Sequence, residues 1–490
     1  MLKLIYFVYL QQSIFVIMDT IIGRIEEIKR LTEFVSSNKA EFLVIYGRRR
    51  VGKTFLIKQF FKEKFTFYFS GAENASRLEQ LANFRDALNE YSGKIYPLVE
   101  TWQQAFVQLK EYLETVKTKG RKVVFIDEMP WLDNSKSGFL SAFEYWWNTY
   151  ASSKSDIFLV ACGSATSWII KNIFKNRGGL HGRVTRQIYL QPFTLKETEQ
   201  FLKAKKLNIP RYQIAEYYMI MGGIPYYLEQ IEKEYSLSKN IDNLFFKKNG
   251  ILRKEYTKIF NSIFKSPKKH LQVIEILAQK RKGLSRDEVS EFSGISNGGG
   301  LTTVLEELEQ CGFIFVNGNF STNTKNKLYQ LADFYTLFYL HFIKDKKGTN
   351  SDYWTTLTDN SSHRAWSGFS FEMLCQWHIE QIKKALSIAG VVSYTSGWRS
   401  KESENNSQID LIIDRNDNVI NLCEMKYLNK EYSISKEYDQ KLQKRKWIFE
   451  EETHSKKALH TTMITTYGVK RNMYWHNIQS EVTLGDLFDV

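Results

Sequence analysis

The sequence predicts an α/β protein whose mostly parallel sheet is covered by helices on both faces. Apolar, β-branched runs of strand length at 42–46, 123–126 and 157–162 alternate with segments that have apolar residues at helical spacing. A glycine-containing segment follows the first run and opens a helix, an arrangement that can hold phosphate. At 490 residues the chain is too long for one core, so we expect two to four domains.

The charge balance and the cysteines restrict the partners and the compartment. The chain has 68 basic and 54 acidic residues, a net charge of +14 at pH 7. This surplus favours anionic partners such as nucleic acid, although scattered lysines are also consistent with an ordinary solvated surface. Four widely separated cysteines without CxxC spacing argue against a zinc site or a disulfide framework, and they indicate a reducing, cytoplasmic location.

The first 17 residues form an apolar extension. It is short for a membrane span, two glutamines interrupt it, and it has no clear signal-peptide cleavage site. Met18 begins a segment that reads as the start of a globular domain. We therefore interpret residues 1–17 as a dispensable extension and expect no membrane association, with a membrane anchor as the alternative.

The stretch GRRRVGKT has the spacing of a P-loop. Gly47 and Gly52 would let the backbone turn so that its N–H groups point at phosphates. Lys53 would reach the β- and γ-phosphates, and the Thr54 hydroxyl would bind Mg²⁺, so the predicted cofactors are ATP and Mg²⁺. The residues predicted to contact the nucleotide here are Gly47, Arg48, Arg49, Arg50, Val51, Gly52, Lys53 and Thr54.

Two later strands end in polar residues that would complete such a site. Asp127 and Glu128 follow one apolar run, so Asp127 would hold Mg²⁺ and Glu128 would act as the catalytic base on water. Ser164 ends the next run, where it could touch the γ-phosphate or the attacking water. Arg183 is the preferred candidate for stabilising charge in the transition state; Arg186, or a surface role for either arginine, is the alternative.

The order of several motifs resembles the archaeal-type branch of AAA+/STAND ATPases over about residues 20–340. The segments that carry the resemblance are IIGRIEEIKRL, IYGRRRVGKT, VVFIDEMPWL, LVACGS, LHGR with IYLQPF, and GGIPYYL. The resemblance implies an ATP-driven conformational switch with a helical lid. It also implies that Gly223, Ile224 and Pro225 lie near the bound nucleotide, whereas the residues alone predict a turn that ends a helix.

Residues 268–332 predict three helices and a β-hairpin, which together make a winged helix. Ser285 and Glu288 have the spacing of a capping box, and Asn317–Gly318 has the composition of a hairpin turn. The third helix, LTTVLEELEQ, carries three glutamates and no arginine, so phosphates would repel it. We therefore favour a hinge or partner-docking role over DNA reading for this module.

Residues 408–427 predict two adjacent strands joined by a turn at RNDN. Side chains alternate between the two faces of a strand, so Glu424 and Lys426 lie on one face of the second strand. Pairing of the two strands would bring Asp410 near that face. With Glu372 on an upstream helix, the pattern resembles the PD-(D/E)xK nuclease core. The resemblance implies that Glu372, Asp410 and Glu424 bind a metal and that Lys426 polarises water or phosphate. A solvated hairpin with an ordinary Glu–Lys pair is the alternative.

These observations predict a P-loop NTPase sheet with a helical lid, a winged helix and a restriction-endonuclease-like α/β domain. The predicted bounds are 1–17 for the extension, 18–192 for the ATPase core, 193–262 for the lid, 263–345 for the winged helix and connector, and 346–490 for the nuclease-like domain. We interpret the chain as an ATP-hydrolysing switch coupled to a domain that binds or cuts DNA. The alternatives are a signalling ATPase whose inactive nuclease-like domain binds a protein, and a DNA-binding regulator that uses the winged helix. The interpretation also allows a homo-oligomer.

Overall fold

A computed structural model describes residues 21–489 except for short gaps at 135, 176–177, 265, 281–282, 321–326, 345–351, 358–359 and 401–406. The predicted extension at 1–17 lies outside the described residues. The chain divides into two compact units, Met1–Pro192 with Ser262–Lys265, and Phe193–Asn261 with Ser266–Val490. Within the described residues, no helix is long and apolar enough to cross a membrane.

The centre of the first unit is a parallel sheet of five strands. They are β1 (Glu41–Tyr46), β2 (Phe67–Ser70), β3 (Lys122–Asp127), β4 (Ile157–Gly163) and β5 (Arg186–Tyr189). The strands lie in the order β2-β3-β4-β1-β5, and every pair is parallel. The predicted α/β class with a parallel sheet is therefore confirmed, and β1, β3 and β4 all end at the same edge of the sheet.

Helices of the first unit bury an aromatic core against this sheet. They are α1 (Ile25–Val35), α2 (Lys53–Phe60), α3 (Arg77–Ser92), α4 (Trp102–Thr115), α5 (Phe139–Thr149) and α6 (Thr166–Ile169), with a π-helical turn at Ile170–Phe174 and 3₁₀ turns at Met129–Leu132 and Ala151–Ser153. Capping boxes start α3 and α4. The ring of Trp102 lies 5.6 Å from Phe84 and 5.0 Å from Phe139, so α3, α4 and α5 share one apolar cluster.

Close packing requires glycine where β1 ends. Gly47 has φ 141°, and a Cβ there would lie 2.3 Å from the carbonyl oxygen of Leu190. The same segment after β5 donates the Leu190 N–H to the Tyr46 carbonyl at 2.8 Å. A side chain at position 47 would force these two backbones apart, so the loop that follows β1 can begin here only with glycine.

The second unit contains a mixed sheet of seven strands. They are β6 (Ile314–Asn319), β7 (Lys327–Leu331), β8 (Ser393–Arg399), β9 (Gln408–Arg415), β10 (Val419–Lys426), β11 (Ala458–Thr465) and β12 (Ser480–Thr483). Their order is β12-β11-β10-β9-β8-β6-β7. Strands β9 and β10 pair antiparallel across residues 416–418, which confirms the hairpin predicted around RNDN.

The remaining helices lie before and between these strands in the chain. They are α7 (Leu195–Ala204), α8 (Arg211–Met221), α9 (Pro225–Leu228), α10 (Leu237–Ile241), α11 (Glu255–Ile263), α12 (Lys268–Lys280), α13 (Arg286–Ser293), α14 (Gly299–Gln310), α15 (Phe334–Phe342), α16 (Tyr353–Leu357), α17 (Ser361–Trp377), α18 (Ile379–Ala385) and α19 (Lys436–Thr453). A π-helical turn follows α10 at Asp242–Phe246, and 3₁₀ turns lie at Trp475–Asn477 and Gly485–Phe488.

Helices α12, α13 and α14 precede the β6–β7 hairpin, and α13 begins at the predicted Ser285–Glu288 capping box. The predicted turn at Asn317–Gly318 is wrong, because Gly318 pairs with Lys327 inside the ladder. The other edge of β6 explains the difference. Gly318 also pairs in parallel with Ser396 of β8, so the strand has partners on both sides and stays extended.

Side-chain contacts add to the pairing between the hairpin region and the C-terminal strands. Arg399 of β8 donates to the Glu288 carboxylate at 2.9 Å, and the Trp377 indole donates to the Ala332 carbonyl at 2.9 Å. These contacts join residues on either side of the predicted boundary at 345. The finer division of the second unit into lid, winged helix and nuclease-like domain stays a prediction.

A buried histidine links α17 to the start of α7. The Nε2 of His378 accepts the Leu195 N–H at 3.0 Å, and its Nδ1 is 2.8 Å from the Leu374 carbonyl, to which it donates. Burial lowers the pKa of His378 to about 4, against a smaller opposing effect from the Leu374 carbonyl and the charge of Glu197. The ring is therefore neutral at pH 7, and protonation would remove the acceptor from the Leu195 N–H.

Acidification should weaken the second unit through His378. The folded-state pKa lies below the ordinary value near 6.5, so this stability is complete above pH 6.5 and is lost as the pH falls toward 4. We expect a loss of about 2 kcal/mol between pH 7.5 and 5.0 from this residue. Urea unfolding at pH 7.5 and 5.0 measures this loss of unfolding free energy, which should be smaller in His378→Gln than in the wild type. An equal loss in the variant would contradict this assignment.

Candidate functional site

The predicted P-loop spans the turn between β1 and α2 in the first unit. Gly52 caps α2 with φ 92°, and Arg50 also has a positive φ of 71°. The Nζ of Lys53 donates to the carbonyls of Gly47 and Arg48, both at 2.9 Å, and this side chain is 5% exposed. The ammonium group thus lies within the loop, where it can exchange these carbonyls for phosphate oxygens.

Thr54 and Asp127 bring two oxygen ligands together beside the loop. The Thr54 hydroxyl donates to Asp127 Oδ2 at 2.8 Å, and the carboxylate is buried. Burial, followed by the charge of Glu128, raises the pKa of Asp127. A hydroxyl and a carboxylate are suitable ligands for Mg²⁺, whose charge would offset both effects, so these residues fit the predicted metal.

Glu128 and Ser164 also lie in contact. The sequence predicted each of them for the nucleotide site from a different strand end. Glu128 adopts a left-handed conformation with φ 43°. Its Oε1 accepts the Ser164 hydroxyl at 2.6 Å, and its Oε2 accepts the Ser164 N–H at 3.1 Å. Each carboxylate oxygen accepts one hydrogen bond from Ser164 and keeps a second lone pair, so a water molecule that uses Glu128 as a base would compete with these bonds.

Sequence reasoning missed Arg24, which supports the loop from outside. Its Nη2 donates to the Val51 carbonyl at 3.1 Å, and the residue is 4% exposed. Arg24 stands in one of the segments that carry the resemblance, but no local pattern assigns it a role. The contact joins residues 27 positions apart, a separation that single-sequence periodicity does not reveal.

Three residues considered for the nucleotide site do not lie beside the loop in the first unit. Arg186 pairs with Glu41 at 3.2 Å, at the edge where β1 begins, so it has a structural role there. Arg183 lies exposed in the turn before β5, and its guanidinium makes no hydrogen bond or ion pair with the residues the structure describes. Pro225 starts α9 in the second unit. The roles of Arg183 and Pro225 stay predictions.

The second unit brings the predicted carboxylates together from three elements. Glu372 comes from α17, Asp410 from β9, and Glu424 with Lys426 from β10. Asp410 and Glu424 adjoin the Cys423–Leu411 pair of the antiparallel ladder. Lys426 Nζ lies 2.8 Å from Glu424 Oε1, while Met425 is buried on the opposite face, as the strand period predicts.

The charges of this cluster are unequally compensated. Burial, followed by the charges of Asp410 and Glu424, raises the pKa of Glu372 well above its ordinary value. Burial also raises the pKa of Asp410, although a hydrogen bond from Gln408 opposes the change. For Glu424, burial is outweighed by the charges of Lys426 and Arg445, and its pKa is lowered. Glu424 is therefore the carboxylate of the three that is paired with Lys426 and Arg445.

Two partners of Glu424 were missed because they come from α19, well beyond the motif. Arg445 Nη1 donates to Glu424 Oε2, and the Tyr438 hydroxyl donates to Oε1. In the described part of the chain, no group of three or more His, Cys, Asp or Glu residues has metal-binding geometry. Carboxylate oxygens suit Mg²⁺, but those of Glu424 are engaged here, and the predicted metal site at Glu372, Asp410 and Glu424 stays a prediction.

Aromatic contacts connect α8 with the neighbours of this cluster. The ring of Tyr427, the residue after Lys426, stacks on Tyr212 of α8 at 5.2 Å and 11°. Phe371, the residue before Glu372, contacts the same ring at 5.4 Å. Tyr212 also stacks on Tyr467 at 5.9 Å and 15°. A movement of α8 would therefore reach residues adjacent to both Glu372 and Lys426.

Comparison with known proteins gives a match to residues 22–231 and matches to other lengths of the chain. Residues 22–231 match the family described as an ATPase domain predominantly from Archaea. An uncharacterized protein of Methanocaldococcus jannaschii is 25% identical over 438 residues, covering 87% of this chain and 92% of that protein. An uncharacterized ATP-binding protein of the same organism is 49% identical over 43 residues, 9% of this chain and 73% of that protein.

A solved structure supports the fold. The Walker-type ATPase of Pyrococcus abyssi aligns with a TM-score of 0.50 and 18% identity, covering 66% of this chain and 96% of that one. The family match coincides with the loop at 47–54 and with the buried Asp127 beside Thr54. The chain is an ATPase, and its residues 22–231 form an archaeal-type ATPase domain.

Proposed function

We propose that this ATPase is a molecular switch of the AAA+/STAND type, and that its C-terminal nuclease-like region binds or cuts DNA. The observation that carries the proposal is the convergence of Glu372, Asp410, Glu424 and Lys426 from α17, β9 and β10. Two carboxylates and a lysine on one sheet, with a third carboxylate from a helix, are groups that can support metal-dependent phosphodiester cleavage. The net charge of +14 also favours an anionic partner.

In the ATP site, each residue would act from its observed position. Lys53 would leave the Gly47 and Arg48 carbonyls for the β- and γ-phosphates, and the loop N–H groups would hold the same phosphates. Thr54 and Asp127 would hold Mg²⁺, which supplies positive charge against the phosphates when bound. Glu128 would turn from Ser164 to orient water as the base.

Helix α8 is the element that would couple this cycle to the carboxylate cluster. Its 11 residues run from Arg211 to Met221, next to Gly223 and Pro225, which we propose sense the nucleotide. Gly223 is packed so closely that a Cβ would lie 1.9 Å from the Phe193 carbonyl oxygen. Near the other end of α8, Tyr212 stacks on Tyr427. The helix would thus carry a displacement from the Gly-Ile-Pro segment to the residue after Lys426.

A protein-binding function is the second candidate, and the pairing of Glu424 with both Arg445 and Lys426 favours it. A permanently paired carboxylate would bind no metal, and the region would serve only as a docking platform. A regulator that reads DNA through the winged helix has less support, because β6 of the hairpin is already paired with β8. Incubation of the purified protein with plasmid, linear and single-stranded DNA, with and without ATP and Mg²⁺, separates these functions.

Lys53→Ala should reduce ATP turnover by roughly 100-fold or more, because the phosphates lose the cation that lies within the loop. Steady-state phosphate release and titration with a fluorescent ATP analogue measure turnover and affinity. Lys64→Ala removes an exposed lysine after α2 and is the control. Unchanged turnover and affinity in Lys53→Ala would refute the assignment of the loop.

Glu128→Gln should retain ATP binding but slow hydrolysis by roughly 100-fold or more, because an amide cannot accept the proton of water. The amide oxygen can still accept the Ser164 N–H while the amide NH₂ donates to the Ser164 hydroxyl oxygen, so the local structure should persist. Single-turnover hydrolysis by pre-bound protein isolates the chemical step. Wild-type turnover would mean that Glu128 is only a structural residue at the end of β3.

Asp410→Asn and Glu424→Gln should each abolish DNA cleavage while leaving ATP turnover within about twofold, because the two sites lie in different units. Cleavage of labelled DNA over a range of Mg²⁺ and Mn²⁺ concentrations is the measurement. Glu431→Gln, which changes an exposed carboxylate after β10, is the matched control. A wild type that cuts no DNA under any condition would favour the protein-binding candidate, and equal cutting by all variants would mean that the site lies elsewhere.

A further inference from the structure

We infer that Arg445 is an exchangeable partner of Glu424: it leaves the carboxylate when a divalent metal ion binds, and it then binds a phosphate of the DNA. The inference rests on the proposed function, and it names a residue that neither the motif nor the resemblance includes. It also explains how one cluster can hold a paired Glu424 and still accept a metal.

The cationic partners are distributed unevenly over the three carboxylates. Glu424 has Lys426 Nζ at 2.8 Å on Oε1 and Arg445 on Oε2, with the Tyr438 hydroxyl as a third donor. Neither Glu372 nor Asp410 makes an ion pair within 4.0 Å to any residue that the structure describes. Two positive charges thus lie on one carboxylate while two neighbouring carboxylates have none.

Arg445 and a metal ion would compete for the same oxygen of Glu424. A metal ion bound jointly by the three carboxylates needs an oxygen of Glu424, and both oxygens already accept hydrogen bonds from cationic or hydroxyl donors. Ligation through Oε2 would bring the metal into the place of the guanidinium, and like charges at that distance repel. The metal ion and the guanidinium therefore compete for Oε2 of Glu424.

Arg445 is the side chain that can move. Lys426 stands two residues from Glu424 on the same strand, so the backbone of β10 fixes its origin beside the carboxylate. Arg445 approaches from α19 on a long side chain, so the backbone of β10 does not fix its position beside Glu424. Rotation about its own torsions would carry the guanidinium outward without any change in the sheet.

The chemistry around Arg445 identifies its second partner as phosphate. The segment KLQKRK at 441–446 has four cations in six residues, and Lys441 and Lys444 are exposed. Lys446 lines the same small cavity as Glu424 and Arg445. A guanidinium presents parallel N–H donors that match phosphate oxygens, and nearby lysines add attraction to a phosphate backbone. Duplex DNA therefore provides the compensating partner when Glu424 is taken by metal.

Two affinities of the full-length protein without nucleotide test this exchange. Calorimetric titration with Mn²⁺ measures the affinity for the metal ion. Glu424→Gln is the reference variant, because heat that is lost in it comes from binding at the carboxylate cluster. Fluorescence anisotropy of a labelled 20-base-pair duplex measures DNA affinity both in Ca²⁺, which binds carboxylate oxygens, and in EDTA. Arg445→Ala should bind Mn²⁺ roughly tenfold more tightly, because a competitor is removed. It should bind DNA roughly tenfold more weakly in Ca²⁺, because a phosphate ligand is lost, but as tightly as the wild type in EDTA, where Arg445 stays on Glu424.

Lys444→Ala is the matched control, since this neighbouring lysine is exposed and does not touch Glu424. It should weaken DNA binding less and leave Mn²⁺ affinity unchanged. Arg445→Lys should fall between wild type and Arg445→Ala in both titrations, and circular dichroism checks the fold of each variant. If wild type binds both ligands but Arg445→Ala changes neither, or shifts both in the same direction, the exchange is refuted and the proposed function stands. If wild type binds neither ligand, the proposed function fails and the exchange fails with it.

Discussion

The close approach of Gly47 to the Leu190 carbonyl fixes where the phosphate loop begins, and the ATP site depends on it. The contact holds the end of β1 against the chain that leaves β5, so the loop starts from a position set by the sheet. Lys53 then reaches back to the Gly47 carbonyl, and the next residue, Thr54, meets Asp127 at the end of β3. A displacement at Gly47 would move the lysine and the hydroxyl together, which is why a small residue here controls a site several residues away.

In both candidate sites, one carboxylate already accepts hydrogen bonds that would compete with its proposed use. In the first unit, Ser164 occupies both oxygens of Glu128. In the second, Arg445, Tyr438 and Lys426 occupy those of Glu424. A buried or half-buried carboxylate without such donors would incur a large desolvation cost, so the donors stabilise the resting arrangement and also oppose the active one. Ligand binding at either site would therefore compete with hydrogen bonds that already exist.

The parts of the structure that the sequence predicted are those set by contiguous residues. The GRRRVGKT loop, the capping box at Ser285 and the β9–β10 hairpin each depend on spacings of a few positions, and the structure contains all three. The turn at Asn317–Gly318 failed because β8, about 75 residues later, pairs with β6 and keeps it extended. Arg24 and Arg445 were missed for the same reason: their partners lie 27 and 21 residues away, and no local pattern encodes that contact.

The same long-range pairing changes how a signal could travel in the second unit. A hairpin hydrogen-bonded into a seven-stranded sheet cannot swing as a separate wing without breaking the β6–β8 pairs, the Phe320 N–H bond to Gly397 and the Arg399–Glu288 contact. The α8 contact is different, because stacked rings such as Tyr212 and Tyr427 can slide with little loss of contact area. A displacement of α8 would therefore pass into the residue after Lys426 while the sheet stays intact. Because Lys426 and Arg445 share Glu424, a small shift of the lysine would alter how strongly the arginine is held.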